Sequence, residues 1–172
     1  MPFLMKTKVS LIGKLLLLVS ILLTGSLYAQ KKPNNEFLGK AELYKAKKSA
    51  INYLNDGSIV QKFGVISDSI WSFAELGMQE FKSSAILIRT LEEEGFKVEK
   101  GVAGMPTCFV ATWGSGRPVI GILGEFDALP MISQKPLNPK QNPLVDGAPG
   151  HGCGHNMMGT AGVSAAIAVK KS

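Results

Sequence analysis

Between residues 36 and 55, apolar side chains fall at Leu43, Ala46, Ala50, Ile51 and Leu54. This is near helical spacing and predicts a helix with one buried face. The triplet Asp56-Gly57-Ser58 interrupts it. Ser58 is a candidate N-cap for a second helix running to about Ala74, with Val60, Phe63, Ile66, Ile70 and Phe73 along one side. A third helix is predicted from about Gln79 to Glu94, with Phe81, Ala85, Ile88 and Leu91 as its apolar stripe. Gly95 stands where helices commonly end. Stripes of this kind form core, and Trp71 and the methionines read the same way.

The pattern changes beyond Phe96. Residues 96–100 alternate like an edge strand, and residues 107–113 read as a more buried one. Gly114-Ser115-Gly116-Arg117-Pro118 is a strongly punctuated turn. Val119-Ile120-Gly121-Ile122-Leu123 is nearly all apolar, as in a central strand covered on both faces. Residues 107–113, the turn and residues 119–123 can make a hairpin. Residues 131–149 form a long loop with prolines at 136, 139, 143 and 149, and loops of that length are usually functional or disordered. Residues 159–171 are small and apolar and predict a tightly packed helix. There is no internal repeat. Helices around apolar strands indicate an α/β class.

Composition adds little: 172 residues, 45% hydrophobic and 19% charged, suit one globular domain. Charge changes the picture at one end. The net charge is +6, but Lys6, Lys8 and Lys14 precede an apolar stretch at residues 15–23, broken only by Ser20. Thr24-Gly25-Ser26-Leu27-Tyr28-Ala29 then turns small and polar. These are the three parts of a secretory signal, with cleavage expected after Ala29 and an exported, periplasmic or extracellular product. The alternative, a membrane anchor, needs ~20 apolar residues, and this run is shorter. No cysteine precedes Cys108, which excludes a lipid-modified cysteine at the cut. Residues 30–40 then form a leader, and residues 41–172 the domain.

Without those three lysines the 19 basic residues fall to 16 against 13 acidic, or +3. That balance, with no basic stripe carrying interleaved aromatics, argues against a nucleic-acid partner. Lys45, Lys47 and Lys48 read as a solvated helix face. Export places the two cysteines in an oxidising compartment. Cys108, in an apolar strand-like run, reads as a small buried hydrophobe, and Cys153, flanked by histidines, as a ligand, so a disulfide is the lesser expectation.

Both histidines of the chain flank that cysteine, in Gly150-His151-Gly152-Cys153-Gly154-His155-Asn156. Thiolate with imidazole suits zinc and similar borderline metals. If the backbone is extended, Cys153 and His155 point to one side. The glycines allow unusual backbone angles and close approach of a metal or substrate. Spacing alone leaves open which two of the three side chains bind. The second element, Gly124-Glu125-Phe126-Asp127-Ala128-Leu129-Pro130, follows the apolar run at 119–123. It sets two carboxylates where open α/β sheets collect ligands. Glu125 and Asp127, two apart, can face the same way. Either can ligate metal directly or orient a ligand histidine. Phosphate-loop, serine-elbow and haem-attachment patterns are absent from the sequence.

From about Ile51 to Lys171 the chain resembles the dinuclear-zinc peptidase and amidohydrolase family, which includes glutamate carboxypeptidases, aminoacylases and amidohydrolases of auxin conjugates. The carrying residues are Gly124 to Leu129, Gly150 to Asn156, and Gly159-Thr160-Ala161, supported by residues 91–96 and 118–123. The likeness is greatest to the p-aminobenzoyl-glutamate branch. The resemblance implies the N-terminal part of a three-layer αβα catalytic domain and hydrolysis of an N-acyl amino acid amide, p-aminobenzoyl-glutamate being the nearest guess. It implies a divalent metal, zinc or alternatively manganese.

Cys153 and His155 match the family's ligating Cys-Gly-His, with Cys153 where peptidase relatives carry a bridging aspartate. His151 becomes a neighbour of the site. Glu125 stands where those relatives have a ligating histidine, and its own ligation stays open. Asp127 matches the aspartate that orients a ligand. Asn156 replaces an aspartate common in the amidohydrolase branch. In the family the general base belongs to a Glu-Glu pair downstream of the last helix. That pair, further histidines and the lid and dimerisation domain would lie beyond Ser172, so this chain alone is expected to be inactive. A homodimer or partner subunit belongs to the full-length expectation. The rival from another class is a non-catalytic metal-binding or interaction protein.

Overall fold

A computed structural model describes residues 39–172. The signal-like segment and nearly all of the leader lie outside the described residues. Within them the chain forms helix α1 (Lys40–Leu54), α2 (Gly57–Phe73), α3 (Phe81–Glu93), strands β1 (Lys97–Lys100) and β2 (Phe109–Thr112), and helix α4 (His155–Lys170). A single 3-10 turn, Val102–Gly104, separates the strands. Helices with a small antiparallel sheet are compatible with the α/β expectation.

The core is built where α2, α3 and α4 meet. Phe63, Ile66 and Ile70 from α2 pack with Leu87 and Leu91 from α3 and with Val163 and Ile167 from α4. Phe96, Val98, Phe109, Ala111 and Phe126 close over it from the strands and the segments beside them. Helix α1 buries no residue of its own and reaches the core through Tyr53.

The starts of α2 and α3 differ from expectation, for hydrogen-bonding reasons. Asp56, not Ser58, caps α2: its carboxylate accepts from the Ser58 amide at 2.9 Å and the Ser58 hydroxyl at 2.5 Å. An ionised oxygen is the stronger acceptor for the free amides of a first turn. Helix α3 begins at Phe81, and Glu75 from the preceding loop reaches over to its first turn. The Glu75 carboxylate accepts from the amides of Lys82 (3.0 Å) and Ser83 (2.9 Å) and from the Ser83 hydroxyl (2.8 Å).

The buried side of α3 is Ser83, Ser84, Leu87, Ile88, Thr90 and Leu91, while Phe81 and Ala85, expected inside, face solvent. Buried hydroxyls are tolerated because each has a partner: Ser84 donates to the Phe81 carbonyl and Thr90 to that of Ile86. Glu80, 8% exposed, accepts a hydrogen bond from the Thr107 hydroxyl at 2.5 Å. On α2 the inward residue of the first turn is Ile59 rather than Val60.

The hairpin also forms elsewhere. β1 and β2 pair antiparallel, Lys97 opposite Thr112 and Lys100 opposite Phe109. Gly101, at φ 69°, donates to the Cys108 carbonyl at 2.8 Å and closes the connection. Residues 119–123 join no ladder among the described residues. Instead they run along α4, where a Cβ on Gly162 would meet the Leu123 carbonyl oxygen at 3.5 Å and Ile122 Cγ2 at 3.6 Å. Their other side is open: Val119 and Ile120 are 82% exposed and Leu123 84%. The apolar run predicts a strand covered twice, and the described residues cover it once.

Glu94, just past α3, ties three helices together. Its carboxylate meets Lys171 beyond α4 at 2.9 Å and Lys62 of α2 at 3.6 Å, and its carbonyl accepts from the Lys170 ammonium. The hydrogen bond from Lys171 is the largest of the effects that hold the Glu94 carboxyl below its ordinary range. A depressed carboxyl stabilises the fold above the unfolded value, about 4.3 for glutamate, and this is lost as pH falls through the folded value. Glu94→Gln is therefore expected to lose less stability than the parent between about pH 5 and pH 3. Urea denaturation across that window checks this, and equal losses would contradict it.

Candidate metal centre

The site is positioned by two backbones that lie directly on one another. At Gly159, buried in α4, an added Cβ would sit 2.9 Å from the Glu125 carbonyl oxygen and 3.0 Å from the Phe126 Cβ. At Gly124 it would sit 3.2 Å from the Gly159 Cα. Only glycines permit this approach. Phe126 turns inward and stacks on Phe109, ring centres 5.9 Å apart. Ala128 is buried, its amide bonded to the Glu75 carbonyl at 2.7 Å, beside a parallel bridge to Leu76. With Phe126 held inside, its neighbours Glu125 and Asp127 share the opposite side, as their two-residue spacing allows.

Both carboxylates meet His155, the first residue of α4. Its Nδ1 lies 2.7 Å from Asp127 Oδ1 and its Nε2 lies 3.0 Å from Glu125 Oε2. One ligand atom from each of the three residues falls within 4.8 Å of the others. His155 and Asp127 are half-buried and Glu125 is exposed. A neutral imidazole carries one N–H. When Nδ1 donates it to Asp127, the Nε2 lone pair faces a carboxylate oxygen, and two acceptors confront each other. A second proton or a metal ion at that place resolves the conflict. One imidazole nitrogen and carboxylate oxygens are donors that zinc accepts, and the Asp127-to-Nδ1 bond is how metal-binding histidines are usually held.

The structure does not bring all the sequence-derived candidates together. Cys153 is exposed, is not disulfide-bonded to Cys108, and lies outside the three-residue cluster. The helix starts four residues earlier than its apolar pattern predicts. Gly154 adopts φ 76° before it, so Cys153 and His155 do not sit on an extended strand. His151 places Nε2 3.1 Å from the Ile70 carbonyl oxygen, leaving its buried Nδ1 without a hydrogen-bond partner. Burial is the main cause that lowers its pKa, with His155 adding to it and the Ile70 carbonyl and Asp127 opposing. Asn156 is buried and donates to the Ser67 hydroxyl at 3.1 Å, fastening α4 to α2 instead of facing the metal candidates.

The motif's glycines serve packing as well. A Cβ on Gly150 would fall 2.5 Å from the Ile132 carbonyl oxygen, and one on Gly152 2.5 Å from Ile132 Cδ1. The motif is thus the floor on which the 131–149 loop closes. Sequence reading missed Glu75, whose reach to α3 sets the segment that Ala128 bonds to. Its only signal is an acid shortly before a helix start.

No family model matches the chain. Among curated proteins, a subunit of p-aminobenzoyl-glutamate hydrolase from Escherichia coli (strain K12) is 45% identical over 111 residues, covering 64% of this chain and 23% of that protein. Xaa-Arg dipeptidase of Mus musculus is 29% identical over 140 residues, covering 76% of this chain and 28% of its own length. Thermostable carboxypeptidase 1 of Saccharolobus solfataricus is 32% identical over 93 residues, covering 53% of this chain and 23% of its own length. The matched region thus spans about a quarter of each of these relatives.

Proposed function

The chain is a homologue of proteins of the peptidase and amidohydrolase family, and from that premise we propose that it forms the first part of an exported, metal-dependent amide hydrolase. The observation that carries the reading is His155 held between Asp127 and Glu125. The substrate class proposed is an N-acyl amino acid amide, with p-aminobenzoyl-glutamate as the first compound to test. The domain proposed is a partial three-layer catalytic domain from residue 41 onward.

Each residue has a distinct task in this reading. Asp127 accepts the Nδ1 proton of His155, which fixes the ring and leaves Nε2 free as a donor atom. Glu125, on the exposed side, offers a carboxylate oxygen beside Nε2. Cys153 is proposed as an additional thiolate ligand on the strength of the resemblance alone. Zinc, or alternatively manganese, when bound would supply Lewis acidity toward the amide carbonyl and a water of lowered pKa. The proton acceptor for that water is proposed to be a glutamate outside this sequence, and a homodimer or partner subunit belongs to the same full-length proposal.

The test is to assay p-aminobenzoyl-glutamate cleavage by this chain with zinc, alone and after joining it to the remainder of a full-length relative. No turnover alone, and turnover in the joined protein that His155→Ala removes, is the expected result. Turnover by this chain alone that survives Cys153→Ala would sink the proposal. Stoichiometric zinc binding with no turnover in the joined protein would favour a non-catalytic metal-binding protein. Export rests on Lys6, Lys8 and Lys14 ahead of the apolar stretch at residues 15–23. The N-terminus of the secreted product is expected at Gln30, and a membrane-held product retaining Met1 would refute cleavage.

A further inference from the structure

The apolar run at residues 119–123 reads nearly the same in both directions. Val119-Ile120-Gly121-Ile122-Leu123 is mirrored about Gly121, with an isoleucine on either side and a branched aliphatic residue at each end. The charges beside the run are mirrored in position and opposite in sign. Arg117 stands four residues before Gly121, and Glu125 four residues after it.

Among the described residues, the backbone of 119–123 enters no strand pair and no backbone–backbone hydrogen bond. Free N–H and C=O groups in a row are what another strand pairs with. None of residues 117–125 takes a left-handed backbone that would break such a pairing. Val119, Ile120 and Leu123 are exposed. Arg117 is exposed too and makes no ion pair among the described residues. Glu125 is also exposed.

We propose that this run is a self-association surface, on which a second copy of the chain pairs antiparallel about Gly121. In that register the two Gly121 residues face each other. Ile120 lies opposite the second copy's Ile122, and Val119 opposite its Leu123. Arg117 comes to the same end as the second copy's Glu125. Each unlike pair occurs twice, as a two-fold interface requires. Charge selects this arrangement over its rivals. A parallel pair in register would set Arg117 on Arg117 and Glu125 on Glu125, and like charges placed opposite each other are unfavourable. A slip of two residues sets Gly121 against Val119 or Leu123 and takes Arg117 away from Glu125. The surface is separate from the dimerisation domain that the resemblance places beyond Ser172, and the pairing needs neither metal nor hydrolase activity. Two short strands bury little area, so the dimer is weak and depends on concentration.

The experiment is sedimentation equilibrium of the whole chain in EDTA, from micromolar to millimolar concentration. A reversible monomer–dimer equilibrium is expected, with hydrogen-exchange protection of residues 119–123 rising with concentration. Arg117→Glu and Glu125→Arg are each expected to weaken the dimer about tenfold, and the double variant to return to within about threefold of the parent. Lys140→Glu makes the same change of charge outside the run and should leave association unchanged. Ile120→Lys, at an exposed position, should remove the dimer. The parent dimer should weaken with salt and Arg117→Gln should lose most of that dependence, a reading that does not need the Glu125 variant to fold. A monomer at every concentration, an open-ended series of oligomers, or association indifferent to Arg117→Glu and Ile120→Lys would overturn the proposal. So would protection of residues 119–123 that arises only when the chain is joined to the remainder of a full-length relative, which would assign the surface to that remainder.

Discussion

His155→Ala is expected to weaken zinc binding by at least about 100-fold. Removal of a residue that merely orients a ligand lowers metal affinity by ~10–100-fold, and the proposed centre makes His155 the donor itself. It is the one residue that the resemblance gives outright as a metal ligand and that also lies in the three-residue cluster with Glu125 and Asp127. Asp127→Asn keeps the shape but takes away the charge that holds the Nδ1 proton, and about a tenfold loss is expected. Cys153→Ala should weaken binding less than His155→Ala, because the thiol is exposed and outside the cluster. Calorimetric zinc titrations of the three variants give the order directly. A Cys153→Ala loss larger than that of His155→Ala would move the centre of the site to the glycine-flanked loop.

Gly159→Val should destabilise the fold by about 3 kcal/mol, near the upper end for overpacking a closed site. The first added carbon would already lie 2.9 Å from the Glu125 carbonyl oxygen, a backbone atom that no side-chain rotation can clear. The gain from replacing a helical glycine, at most about 1 kcal/mol, offsets only part of this. Ala161→Val, on the exposed side of the same helix, is the control and should cost no more than the helix-propensity difference, about 0.7 kcal/mol. Urea denaturation measures both. The displaced segment carries Glu125, so zinc affinity should fall together with stability in Gly159→Val. Unchanged stability would mean that the 124–128 segment lies on the helix loosely.

What the sequence makes legible depends on where the controlling partner lies along the chain. Most of the buried face of α2 is legible because Phe63, Ile66 and Ile70 repeat at helical spacing, and α4 is legible only as a small, apolar helix. The acid pair is legible because a two-residue spacing beside an inward Phe126 leaves few alternatives. The apolar pattern of helix α3 gives Ile88 and Leu91 as inward correctly and Phe81 and Ala85 wrongly, and the bonds from Glu75 to Lys82 and Ser83 at its start leave no trace in such a pattern. The hairpin forms away from its expected place because apolar character says how buried a strand wants to be and nothing about which neighbour it takes. The metal motif is recognisable by residue type, but its geometry is not. Gly154 turns the chain into a helix at His155 and leaves Cys153 outside, which spacing under an extended backbone does not anticipate.

The bare side of residues 119–123 bears on how this polypeptide behaves in a tube and in a cell. Unpaired amides beside branched aliphatic side chains are a template for like chains, and such edges are normally shielded by charge, proline or a neighbouring strand. Arg117 and Pro118 stand before the run and Glu125 after it, but between them there is no gatekeeper. Colloidal behaviour, more than thermodynamic stability, is then expected to set the concentration at which the chain can be handled.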